Sequence, residues 1–549
     1  MKFFLLCLVV SISLLQANIS TLPNSLQTLP IQEGGRRKPY VVFAEETLRF
    51  LSGKTALSLH GRREEAGELI TSFWLDPQEN YAQEPLIFLS SVSLKKTLEL
   101  PLTQSLFSYE TLIHHEGLQK LISEALEARR SNPRQHLEGI LKEVSELGMR
   151  LSLFEELSDG SLFRIIPSSQ ASNNRWETLS SWESDSTPAA ARAHQAFSLM
   201  QEGWKSNNEV LFNEGVIQFR GVLNSINPEE VVPTWRLQLE VLLQKLHPFR
   251  LAWMGYALAG IFLFFFRRTL LFNRLGQICA WSGFLIQAFG LLSRMLIAGR
   301  PPVTNMYESM IWVAFGTIFF ALLFEARYRA GVFLLGAIPV ALLSLILADT
   351  QPIILDPSIH PLTPVLRDNF WLTIHVLTIT LSYAAFALSL GVAHVILTQI
   401  ILDKKIASLL YQYLYRTLQI GVLLLATGTI LGGVWANYSW GRFWDWDPKE
   451  TWALIALLGY LFLLHGRLAG YWGGFGLAIG SLFAFNSILM AWYGVNFVLG
   501  AGLHSYGFGS GGLPCVLAFV GMEVLIAAAA LFARFRAKRR RSATRGSSS

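Results

Sequence analysis

From about residue 249 onward the chain carries one apolar run after another. Each is close to the ~20 residues an α-helix needs to cross a hydrocarbon core. Backbone N–H and C=O groups facing lipid must be satisfied within their own segment, so these runs confine the second half of the chain to membrane helices. Nine are expected, at roughly 249–266, 277–297, 308–326, 330–348, 370–402, 418–436, 451–466, 471–493 and 512–533. The fifth is too long for a simple crossing: at ~1.5 Å per residue it reaches ~50 Å, so one end should project or the helix should tilt. Of the 549 residues, 52% are hydrophobic and 15% charged, against the ~25% charged of soluble domains.

The first half reads differently. Residues 3–15 (FFLLCLVVSISLL) follow Lys2 and precede Ala17, as in a signal-peptide core or a short anchor. Residues 1–17 are therefore expected to direct export, and 18–248 to form an exported soluble domain. That domain has mixed helical patterns and no catalytic spacing. Its most distinctive stretch, LPIQEGGRRKPYVVFAEETLRFLSGK (29–54), ends in an amphipathic helix carrying Leu48 and Leu51 on one face, as a packing or docking module would. The three cysteines, Cys7, Cys279 and Cys515, form no CxxC pair and are too few for a disulfide framework.

Charge in the loops gives an orientation. One alternating set holds Arg267, Arg268, Arg274, Arg327, Arg329, Lys404, Lys405, Arg416, Arg467 and the basic tail 535–549. The other holds Arg300, Arg367, Arg442 and Lys449. By the positive-inside rule the first set is cytoplasmic, and the exported domain independently puts the second outside. Much of the net charge of +6 lies in the C-terminal run, which suits lipid headgroups rather than nucleic acid. The expected fold is an all-α polytopic membrane protein, in which residues 249–534 form the membrane domain after a signal or anchor segment and an exported domain.

The outer loop WANYSWGRFWDWDPKETWA (435–453) places five tryptophans within eighteen residues. An interfacial aromatic belt enriches tryptophan at this depth, but it does not require Gly441, Pro448 and the interleaved Asp445, Asp447, Lys449 and Glu450. Flat rings beside cations suit a planar hydrophobic ligand with carboxylates. A porphyrin fits, with Arg442 or Lys449 pairing with its propionates. His375 and His504 lie at the same outer level and make a plausible pair of axial ligands, with Asp368, Asp445 and Asp447 as possible acceptors for their second ring nitrogens.

The string WGRFWDWDPKETWA resembles the WWD signature of the haem-handling protein family, and its DPKETWA ending resembles the CcsA (ResC) branch, the membrane component of the System II cytochrome c synthase. GRPPVTNMYES (299–309), NFWLTIHV with the following SYAAFA, LLHGR (463–467) and GLHSYGF (502–508) fit the same branch in the same order, over about 275–534. The 29–54 stretch resembles, more weakly, a segment of long forms of the family. The resemblance implies that His375 and His504 are external haem ligands, that His465 is an intramembrane histidine receiving haem b from the cytoplasmic side, and that Trp440, Trp444, Trp446, Asp447 and Arg442 belong to the haem-binding set. His465 is thirteen residues beyond Trp452, ~20 Å inward. It further implies a holocytochrome c synthase (haem lyase) subunit that presents haem for thioether attachment to the CxxCH of apocytochrome c, served by a thiol-reducing system, in a bacterial cytoplasmic membrane. The membrane helices of the CcsB (ResB) part, which carries the second intramembrane histidine in that family, are missing from the stretch before residue 249. A CcsB-like partner is expected to supply them, with His394 as the alternative within this chain. The competing readings are a CcmC- or CcmF-like haem exporter or chaperone-loading subunit, and a bis-histidine b-type membrane cytochrome.

Overall fold

The computed structural model describes residues 22–546 except 60, 77–79, 132–138, 169–174, 183–186, 267–268, 353, 363–367 and 500–510. It divides into two units, Met1–Leu246 and His247–Ser549. The signal or anchor segment lies outside the described residues.

The first unit is not all-α. Among its described residues are four two-stranded antiparallel sheets, set between helices. β1 (Pro30–Glu33) pairs with β2 (Arg36–Pro39), Glu33 opposite Arg36. The two turn residues, Gly34 and Gly35, have φ of 58° and 79°, the backbone of a two-residue hairpin that side chains with a Cβ resist. The chain then runs straight into α1 (Tyr40–Ser52), which buries Leu48 and Leu51 as its periodicity predicts. β3 (Ala56–Leu59), β4 (Arg62–Glu65) and α2 (Ala66–Leu75) repeat the hairpin–helix pattern. The helical expectation missed the hairpins because it weighted the apolar period of α1 above the glycine pair before it.

Charge ties this module to α3 (Thr234–Leu246). Arg36 on β2 forms an ion pair with the buried Glu240, and Gln244 hydrogen-bonds Glu45 of α1. Lys38 is buried between Glu33 and Glu46. Burial alone would lower its pKa, but the two carboxylates outweigh it and raise it. Glu240→Ala leaves the Arg36 guanidinium uncompensated, and removing one partner of a buried pair costs about 3–5 kcal/mol. Limited proteolysis of the full-length chain should therefore cut this unit much faster in Glu240→Ala and only modestly faster in Glu240→Gln. Equal rates in all three proteins would disprove the pair's role.

Among the described residues, all regular elements of the second unit are helical, and nine helices are long and apolar enough to span a membrane. They are α4 (Pro248–Phe265), α5 (Leu270–Ala298), α6 (Met306–Tyr328), α7 (Phe333–Thr350), α8 (Asn369–Ile401), α9 (Ser408–Trp440), α10 (Pro448–Leu468), α11 (Gly474–Leu499) and α12 (Leu513–Gly546). α9 starts ten residues before its expected boundary because the flanking stretch SLLYQYLYRT, though more polar, keeps helical periodicity. The helix α8 is apolar all round and accordingly central. It packs on α6, α7, α9, α11 and α12, and 67% of its most apolar stretch is buried, the largest share of the nine. Small residues allow this closeness: a Cβ at Gly336 of α7 would stand 2.7 Å from the carbonyl carbon of Gly391 in α8, the close backbone approach that membrane helices favour.

Candidate functional site

Asp368 caps α8, its side chain accepting from the amides of Phe370 and Trp371 (3.0 and 3.2 Å). Over Leu372–Val376 the helix then widens into a π turn, a distortion that recurs at functional sites. His375 sits in that turn. Its Nδ1 lies 2.8 Å from the Gly428 carbonyl of α9. A carbonyl can only accept, so Nδ1 carries the proton and, in the neutral ring, Nε2 carries the lone pair. The glycine face of α9 makes room: a Cβ at Gly432 would lie 2.6 Å from Cε1 of His375, and one at Gly428 would lie 2.9 Å from Ile379. The Trp435 ring stands 5.7 Å from the imidazole at 62°, and its buried Nε1 has no hydrogen-bond partner among the described residues.

His375 and Trp435 line a cleft with Trp444 and Lys449 from the tryptophan-rich segment, Met306 of α6 and Asn496 of α11. The loop closing it is folded by its own charges. Gly441 ends α9 with φ of 70°, and Asp447, buried, caps α10 by accepting from the Lys449 amide at 3.0 Å. Glu450 is the hub. One carboxylate oxygen takes Arg442 (3.1 Å), and the other takes the Asp445 amide (2.9 Å). Arg442 also pairs with Asp445 (3.4 Å) and lies over the Trp440 ring (5.3 Å). Arg442, Trp440 and Asp447 therefore shape the loop, while Trp444 and Lys449 face the cleft. Trp446 meets Trp444 edge-on at 5.9 Å and is 69% exposed.

The opposite wall, Val303–Ser309, rests on a buried ion pair. Glu308 takes Arg294 of α5 on one oxygen (2.8 Å) and the Thr304 amide and hydroxyl on the other (2.9 and 2.7 Å), while Asn305 caps the Glu308 amide. The motif in 299–309 signalled this segment, but its role comes from residues far apart in sequence.

The remaining histidines are elsewhere. His465 is exposed in the last turn of α10, with Nδ1 donating to the Leu461 carbonyl (2.8 Å), and does not line the cleft. His394 of α8 donates through Nδ1 to the Leu390 carbonyl (2.9 Å), and its Nε2 lies 3.1 Å from the buried Glu523 of α12. His504 falls outside the described residues.

The described part of the cleft fits one face of a haem substrate: an imidazole with its proton held away from Nε2, flat indole rings, and an ammonium for a carboxylate. Comparison with known proteins identifies the family. A family model described as cytochrome C assembly protein matches residues 303–504, a span that contains this cleft. Protein NrfI of Wolinella succinogenes is 32% identical over 503 residues, 86% of this chain but only 53% of NrfI, so the chain spans about half of that relative's length. The cytochrome c biogenesis protein CcsA of Synechococcus sp. strain RCC307 is 35% identical over 271 residues, 43% of this chain and 86% of that protein. A solved structure of cytochrome c heme lyase CcmF aligns over 53% of this chain and 51% of its own with a TM-score of 0.37 and 17% identity, too distant to carry an inference. The fold is that of a multi-pass helical membrane protein, and the chain belongs to the CcsA family of cytochrome c biogenesis proteins.

Proposed function

We propose that the chain presents haem to apocytochrome c in the cleft between α6, α8, α9, α10 and α11, acting as the CcsA half of a holocytochrome c synthase. The observation that carries this is His375: a π turn, a glycine face and the Gly428 carbonyl hold its imidazole in one tautomer against Trp435. His375 supplies one axial nitrogen to the iron and His504 the second. Trp444 and Trp435 cover the porphyrin, and the loop built on Glu450 keeps water from its faces. In the attachment step each CxxCH thiol adds across a vinyl group. The sulfur bonds one vinyl carbon, the thiol proton goes to the other, and no electrons are gained or lost. The protein contributes orientation rather than a covalent residue.

The basic residues clustered on alternate loops support an outward cleft and a cytoplasmic tail in a bacterial inner membrane. His465, near the cytoplasmic end of α10, belongs to the inner haem path. Its exposure suits a second histidine from a CcsB-like partner better than one from this chain, since His394 Nε2 faces the buried Glu523 at 3.1 Å. That placement of His394 opposite a carboxylate also disfavours a b-type cytochrome, in which histidines would face each other across buried helices. The test is the absorption spectrum of the full-length chain loaded with haem. A six-coordinate, bis-histidine Soret and α-band pattern is expected, and a spectrum identical to free haemin in detergent would overturn the reading.

A further inference from the structure

Lys449 and Arg442 are the two cations of the tryptophan-rich loop, and their surroundings differ in kind. Arg442 is neutralised by Glu450 and Asp445. The Lys449 ammonium, on the cleft wall, donates to the Asn496 amide oxygen at 3.2 Å, and no carboxylate of the described residues forms an ion pair with it. Glu450, its neighbour in sequence, has both oxygens committed elsewhere. An amide oxygen satisfies one ammonium proton but cancels no charge. Asp447 attracts the ammonium electrostatically without forming an ion pair with it, and a cation so placed in a largely apolar cleft is costly unless a further anion arrives.

Asn496 fixes where that cation points. Its Nδ2 donates to the Trp492 carbonyl at 2.8 Å and lies 3.7 Å from the Met306 sulfur, which leaves Oδ1 turned to the ammonium. Trp492 is itself anchored, its Nε1 donating to Ser309 Oγ at 2.8 Å. A second donor in the same cleft, Trp435 Nε1, has no acceptor among the described residues.

We propose that Lys449, aimed by Asn496, is the subsite for a carboxylate of the bound tetrapyrrole, with Asn496 as the positioning residue. The inference rests on the haem-presenting function above and adds the group that separates a propionate-bearing porphyrin from an uncharged one. A charge-assisted hydrogen bond of this kind is directional enough to set which edge of the macrocycle enters first.

The test titrates the full-length chain with haemin and with haemin dimethyl ester in one detergent and follows the Soret band. The wild type should bind haemin at least ~10-fold tighter than the ester. Lys449→Met should bring haemin down to the ester's affinity and leave the ester's unchanged, whereas Lys449→Arg should keep part of the preference. Asn496→Asp is nearly isosteric but places a carboxylate on the ammonium. It should abolish the preference while the Soret position, which reports the iron ligands, stays put. Retained preference in both Lys449→Met and Asn496→Asp would overturn the subsite, as would equal affinity for the two compounds in the wild type. A wild-type chain that binds neither overturns the haem-presenting function, and the subsite with it.

Discussion

His375→Ala is expected to strip the cleft of haem and abolish holocytochrome formation. The partners that merely orient a metal-ligating histidine are worth ~10–100-fold in affinity, so loss of the ring itself should weaken retention by ~100-fold or more. The variant removes a side chain that bonds a backbone carbonyl through Nδ1 rather than a buried charge, so the helices should still assemble. Two companions make the result specific. Imidazole added to the buffer should restore part of the six-coordinate spectrum in His375→Ala, because the space vacated is that of an imidazole. Gly432→Val leaves the histidine in place but puts a branched side chain where even a Cβ would stand 2.6 Å from Cε1, and it should mimic the alanine variant without rescue by imidazole. Wild-type haem content in His375→Ala would sink the assignment.

Glu308→Ala should be the most damaging change in the opposite wall. Arg294 and Glu308 have side chains 5% and 2% exposed, and deleting one member of such a pair costs about 3–5 kcal/mol because the other charge is left buried. It also frees Thr304, whose amide and hydroxyl both depend on Glu308. The melting temperature in detergent should fall sharply in Glu308→Ala and in Arg294→Met. The double variant should be more stable than Glu308→Ala, since it removes both charges together. A double variant whose loss equals the sum of the singles would show that the two residues act independently.

The membrane unit was legible because apolar length is a strong signal that needs no partner. All nine expected spans correspond to helices, although α5, α9, α11 and α12 differ in their ends. What could not be read was the π turn in α8. It depends on Gly428 and Gly432 of another helix admitting His375, and a periodicity search over one segment cannot register that. The hairpins of the first unit did have a signal, Gly34–Gly35 between two short extended stretches, but the stronger helical period of α1 overshadowed it. In the cleft, His375, Trp444 and Lys449 announce themselves by residue type. Asn496, Trp492 and Glu308 do not: an asparagine or a tryptophan within an apolar helix looks the same whether it aims a cation or only fills space. The choice between Arg442 and Lys449 was likewise closed to sequence, because it turns on Glu450 folding back eight residues to Arg442.

The widened turn at Leu372–Val376 has a consequence for how such a site can be lost. Each residue of an α-helix advances the chain by about 100° around its axis. Deleting one residue from this turn would restore the regular pitch and swing the preceding segment round by roughly that angle, while every tryptophan, glycine and charge in the loop stayed as it was. The imidazole would no longer meet Gly428. The hydropathy profile and the tryptophan-rich signature string would read the same before and after. Part of what aims this ligand is thus the count of residues between cap and core, and a single-codon deletion should silence the cleft as completely as the loss of the histidine.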